Sequence, residues 1–156
     1  MAANLGYDLI IRILATSAML LRESQRFFRP HGLTEAQFNV LNLLGMRPDG
    51  MSQRELGELL VVDRSNVTGL LDRLEKTGWV AREDHPVDRR IYCVKLTKKG
   101  KDLLDKVLPK YLDAVKDVTS GLSADRIKST MELLRSLEDS ANAWGKKSTV
   151  KKKGTS

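Results

Sequence analysis

The stretch SQRELGELLVVDRSNVTGLLDRLEKTGWVAREDHPVDRRIYCVKLTKKG, residues 52–100, decides the fold. Its first part, Ser52-Gln53-Arg54-Glu55, has the form of a capping box in which the Glu reaches back to the Ser amide. Leu56, Leu59 and Leu60 follow as an apolar face, so a helix is predicted over residues 52–60. After a tight turn, Asp63 can cap a second helix in which Val67, Leu70, Leu71 and Leu74 recur at three- and four-residue spacing. Gly78 should end that helix, and the period then drops to two. Trp79 to Arg82 predicts a short strand, His85-Pro86-Val87-Asp88 a turn, and Ile91 to Leu96 a return strand. On the return strand Tyr92, Val94 and Leu96 point one way and Ile91, Cys93 and Lys95 the other. The return strand is expected to be the outer strand of the wing.

The second helix has two chemically different faces. At about 100° per residue, Ser65, Gly69, Asp72 and Lys76 lie opposite the apolar stripe, flanked by Asn66, Thr68 and Arg73. Solvent-facing helices usually carry long Glu and Lys side chains. Here the residues are short and hydrogen-bonding, which lets a helix approach base edges: Asn pairs with adenine, Arg with guanine, Ser and Thr with several groups. Gly69 costs roughly 1 kcal/mol of helix stability relative to Ala and removes a Cβ where a groove floor would lie. At the hairpin tip, Asp88-Arg89-Arg90 places a carboxylate where it can orient an arginine for the narrow, electronegative minor groove. Helix, turn, helix and basic hairpin in this order form a winged helix-turn-helix, whose partner is double-stranded DNA.

Outside this lobe, Leu9, Ile10, Ile13, Leu14, Ser17, Leu20, Leu21, Ser24 and Phe28 form one helical seam, and Ile127, Met131, Leu134, Leu137, Ala141 and Trp144 form another. Part of each stripe serves an intrachain core. The remainder needs cover, and a second copy of the same helices supplies it most economically. A third helix is predicted over 98–118, with Pro109 kinking it between the two regions.

Leu33-Thr34-Glu35-Ala36-Gln37-Phe38, the run from Ser65 to Glu75, Asp88-Arg89-Arg90 and Leu96-Thr97-Lys98-Lys99-Gly100 together resemble the multiple-antibiotic-resistance regulator (MarR) family. The resemblance covers nearly the whole chain up to Trp144. It implies a mainly α fold with a small β-wing, a winged helix-turn-helix with N- and C-terminal dimerisation helices. On that pattern residues 1–145 form a single domain, with a winged lobe over about 33–97 and dimerisation helices over about 5–30 and 98–144; residues 146–156 are a Lys-rich tail expected to be disordered. The implied DNA-binding residues are Arg64, Ser65, Asn66, Thr68, Gly69 and Arg73 in the second helix and Asp88, Arg89 and Arg90 in the wing. The family's wing pattern is Asp-x-Arg, which favours Arg90 for the minor groove with Asp88 as its orienter. The resemblance further implies a homodimeric regulator, in the typical case a repressor released from a palindromic operator by a small-molecule effector. His31 and Phe38 lie near the implied effector cleft and are the candidate ligand-binding residues.

Charge is weaker evidence for DNA than it looks. Of the formal net charge of +7, Lys146, Lys147, Lys151, Lys152 and Lys153 contribute five, so residues 1–145 carry only +2. Two histidines and one cysteine support neither a metal site nor an intrachain disulfide. No nucleophile, base and orienter can be grouped and no phosphate-binding Gly loop is present, so neither an enzyme nor a cofactor is expected. Leu9 to Leu21 follows Asp8, contains Arg12 and lacks a basic leader, which argues against a secretory signal; no stretch suits a bilayer span, and cytoplasmic residence is the expectation. Two alternatives stay open: a winged-helix module that docks a protein through the polar helix, and a thiol-based redox sensor acting through Cys93.

Overall fold

The structure is a computed structural model that describes residues 4–60, 64–84 and 92–153, with backbone alone at 64, 65 and 145–153. The chain begins with helix α1 (Leu5–Phe28), capped by the Asn4 side chain, which accepts from the Tyr7 N–H at 3.2 Å; Asp8 in the first turn and Arg26 in the last complement the helix dipole. A 3-10 turn (Arg29–His31) leads to α2 (Glu35–Gly45). Thr34 and Gln37 close a reciprocal capping box there, with bonds of 3.2 and 2.9 Å.

Next come strand β1 (Met51–Ser52), α3 (Gln53–Leu60) and α4 (Arg64–Lys76). The box read from Ser52 and Glu55 is formed: the Ser52 N–H donates to the Glu55 carboxylate at 2.7 Å and the Glu55 N–H to Ser52 Oγ at 3.2 Å. Asp63 lies outside the described residues. Beyond α4 the chain turns at Gly78, whose φ of 73° suits glycine, and enters strands β2 (Val80–Asp84) and β3 (Tyr92–Leu96). Helix α5 (Lys98–Thr119) contains Pro109, and α6 (Ala124–Lys153) completes the chain.

The expected hairpin is one strand short of the observed sheet, which is antiparallel in the order β1-β3-β2, with Met51 opposite Val94 and Val80 opposite Leu96. Strand β3 is therefore central, not outer. Two residues are too few for β1 to show an alternating pattern, which is why sequence reasoning passed over it. One consequence is that Cys93, expected in an outer strand, sits in the central one and is buried beside Val94.

The α4 stripe behaves as read: Val67, Leu70, Leu71 and Leu74 are all buried, together with Phe28, Phe38, Leu41, Leu44, Leu56, Val94 and Val107. The α3 face is narrower than expected. Leu60 sits about 40° round the helix from Leu56 and is half-buried, whereas Leu59, about 60° to the other side, is 54% exposed. In an eight-residue helix a single side chain, Leu56, anchors the core side.

By internal contacts the chain divides into two compact units, Met1–Leu112 and Asp113–Ser156, with the boundary three residues beyond Pro109. In the first unit, α1 buries only Phe28, while Leu9, Ile10, Leu14, Leu20 and Leu21 remain exposed. In the second, Ile127 and Leu137 are half-buried and Met131, Leu134 and Trp144 exposed. Helical backbone continues to Lys153, into the segment expected to be a disordered tail. Lysine is a good helix former, and extending an existing helix avoids the cost of nucleation.

Candidate nucleic-acid interface

Helix α4 sets the surface. With its apolar stripe against the core, Asn66, Thr68, Asp72, Arg73 and Lys76 are exposed and Gly69 is half-exposed. Ser65 and Arg64 occupy the first turn of the same helix. Among the described residues a Cβ added at Gly69 would meet only the Arg73 guanidinium, at an ordinary 3.7 Å, so their packing does not require glycine at this position. The Gln53 amide donates to Thr68 Oγ1 and ties the start of α3 to the outward face of α4.

The wing rises from paired strands whose last rung is Asp84 opposite Tyr92. Asp88, Arg89 and Arg90, with His85 and Ile91, lie outside the described residues, within the segment that joins these two strands. Along the ladder, Lys95 pairs with Glu83 at 2.9 Å, and this bond raises the lysine above its ordinary range.

Between α4 and the wing stands Arg82, which sequence reasoning missed. Its guanidinium donates to Asp72 at 2.7 Å and to Glu75 at 2.5 Å, and its side chain is only 22% exposed. Burial alone would lower the guanidinium; its hydrogen bond to Asp72 and the charges of Glu75 and Asp72 outweigh it, so the group is held above its usual value. A signal existed in the sequence. Val80 and Arg82 are two apart on one strand and share a face, so an arginine on the inward side had to find a charged partner.

The other candidates fare differently. Phe38 is buried and stacks on Phe28 with ring centroids 4.5 Å apart, and Tyr111 meets both rings. His31 borders this aromatic cluster through Phe27, at 5.7 Å. The structure thus brings His31 and Phe38 to one cluster, filled by the chain's own rings. A separate cavity of about 500 Å³ opens between the end of α2 and the first half of α5, lined by Asn42, Leu44, Met46, Lys98, Lys101 and Leu104 among others. Cys93 donates its thiol to the Asp49 carbonyl at 3.2 Å, and burial pushes the thiol up against the opposing charge of Lys95. That leaves little thiolate at neutral pH. Among the described residues no group of three His, Cys, Asp or Glu could hold a metal ion, and no helix is long and apolar enough to cross a membrane.

Comparison with known proteins agrees with this geometry. A family model described as "MarR family" matches residues 31–91. The chain is 36% identical over 113 residues to the HTH-type transcriptional regulator YkoM of Bacillus subtilis (strain 168), covering 72% of each protein. It superposes on a MarR family transcriptional regulator from Streptomyces coelicolor, solved in complex with DNA, with a TM-score of 0.78, 28% identity and 90% of each chain covered. For CouR of Rhodococcus jostii RHA1, solved bound to p-coumaroyl-CoA, the TM-score is 0.79 at 26% identity, covering 88% of this chain and 95% of CouR. The winged lobe, its polar helix and these likenesses converge: the chain belongs to the MarR family and is a DNA-binding transcriptional regulator.

Proposed function

We propose that the protein acts as a homodimer on an imperfectly palindromic operator, represses transcription while bound, and is released by a small-molecule effector. The observation that carries the DNA-reading part is the outward face of α4, where Asn66, Thr68 and Arg73 are exposed around a glycine that packing among the described residues does not require. Arg64, Ser65, Asn66, Thr68, Gly69 and Arg73 face the major groove, and Arg90, oriented by Asp88 and flanked by Arg89, enters the minor groove. Two such lobes related by a twofold axis read half-sites about one helical turn apart. Occupancy of that site by a dimer obstructs transcription, which is the basis of the repressor reading.

The exposed apolar residues of α1 and α6 support self-association. The bound ligand of CouR supports an effector, and the open cavity between α2 and α5 suits one better than the filled aromatic cluster around Phe38. Binding titrations of wild type and Arg90→Ala on an operator duplex at several salt concentrations test the reading. The substitution should weaken affinity about 5- to 150-fold, the equivalent of 1–3 kcal/mol, and reduce the salt slope by about one. If affinity and slope both stay unchanged, the minor-groove assignment is wrong.

A further inference from the structure

Two elements of this surface have to meet DNA together, α4 in one groove and the β2–β3 wing in the next. Their relative angle is therefore part of recognition. The apolar contact of the α4 stripe with Val80 holds them together without fixing that angle, because dispersion and hydrophobic burial are non-directional. Beyond the backbone bond from Trp79 N–H to the Leu74 carbonyl at the entry of β2, Arg82 adds a directional side-chain link. From β2 its planar guanidinium forks onto two carboxylates of α4 three residues apart, Asp72 at 2.7 Å and Glu75 at 2.5 Å, while its backbone N–H donates to Glu75 at 3.4 Å. The same contacts pair off the charge of carboxylates that would otherwise repel phosphate beside the exposed Arg73 and Lys76.

We infer that Arg82 is a positioning residue for operator recognition: clamped between Asp72 and Glu75, it sets the angle between the major-groove helix and the wing without itself touching DNA. This rests on the DNA-binding reading of α4 and the wing. A duplex enriched from a random-sequence pool by the wild-type protein, and an unrelated duplex of equal length, serve as probes. Affinities, salt slopes and thermal unfolding are measured for wild type, Arg82→Gln, Arg82→Lys and the double variant Asp72→Asn/Glu75→Gln, which alters only half-exposed carboxylates.

The ratio of affinities for the enriched and unrelated duplexes should fall at least tenfold in Arg82→Gln and by a similar factor in the double variant, with Arg82→Lys recovering part of it through one carboxylate. The affinity of Arg82→Gln for the unrelated duplex should stay within about twofold. An unchanged ratio in the double variant overturns the inference. So does a ratio that survives Arg82→Gln while the melting temperature drops, since that marks a purely structural role. Equal weakening on both duplexes with a salt slope shallower by about 0.9 would make Arg82 a phosphate contact instead. If the wild-type protein enriches no sequence, the operator reading fails and the inference with it.

Discussion

At Gly69 helix stability and the proposed groove contact would pull a single residue in opposite directions. None of the described residues crowds its missing Cβ, so Gly69→Ala should raise stability to urea by up to about 1 kcal/mol through helix propensity. The same methyl would stand between α4 and the groove floor, and operator affinity should fall in the titration that records the stability gain. Gly100 is the opposite case: a Cβ there would lie 2.0 Å from the Trp79 carbonyl, so its glycine is explained by packing alone. Cys93 has a pH consequence. Its proton is held more tightly in the folded chain than in the unfolded one, so the stability this lends is complete below the ordinary thiol range and is lost as pH rises through the raised folded value. At about pH 8, iodoacetamide should therefore alkylate the native thiol more slowly than that of the urea-unfolded chain, with the gap closing at higher pH. Equal rates would mean that the burial of Cys93 does not hold in solution.

Among the elements, α4 was fully legible because its thirteen residues allow the 3.6 period to repeat. The helix starts at Thr34 and Ser52 were legible for another reason: a reciprocal cap needs only a Ser or Thr and a Glu or Gln three residues later. Ser52→Ala should accordingly lower unfolding stability by about 0.5–2 kcal/mol, read as a shift of the urea midpoint with unchanged slope. Strand β1 escaped: with two residues it carries no period, and the central place of β3 follows from a pairing that no local pattern reveals. Helix α3 was read from its cap and apolar face, but two turns are too few to show that Leu59 stays exposed. The Asp72–Arg82–Glu75 clamp is likewise a meeting of two elements, legible in sequence only as an arginine on the inner side of a strand.

For the molecule as a whole, α1 is a long helix in need of cover: in 24 residues it buries only Phe28. If a second copy supplies that cover, Leu14→Glu, at a position 60% exposed in the single chain, should shift the protein from dimer to monomer in light scattering and make its unfolding temperature less dependent on concentration. An unchanged mass would remove α1 from the interface. By itself the sequence determined the winged lobe, the polar outward face of its second helix and the family, because these depend on local periods, caps and a short run of motifs. Tertiary structure alone decided that Cys93 is buried, that Phe38 belongs to a closed aromatic core while a cavity opens between α2 and α5, and that Arg82 joins helix to wing. Each of these is a contact between residues distant along the chain, and periodicity records which side of an element is apolar but not what comes to rest against it.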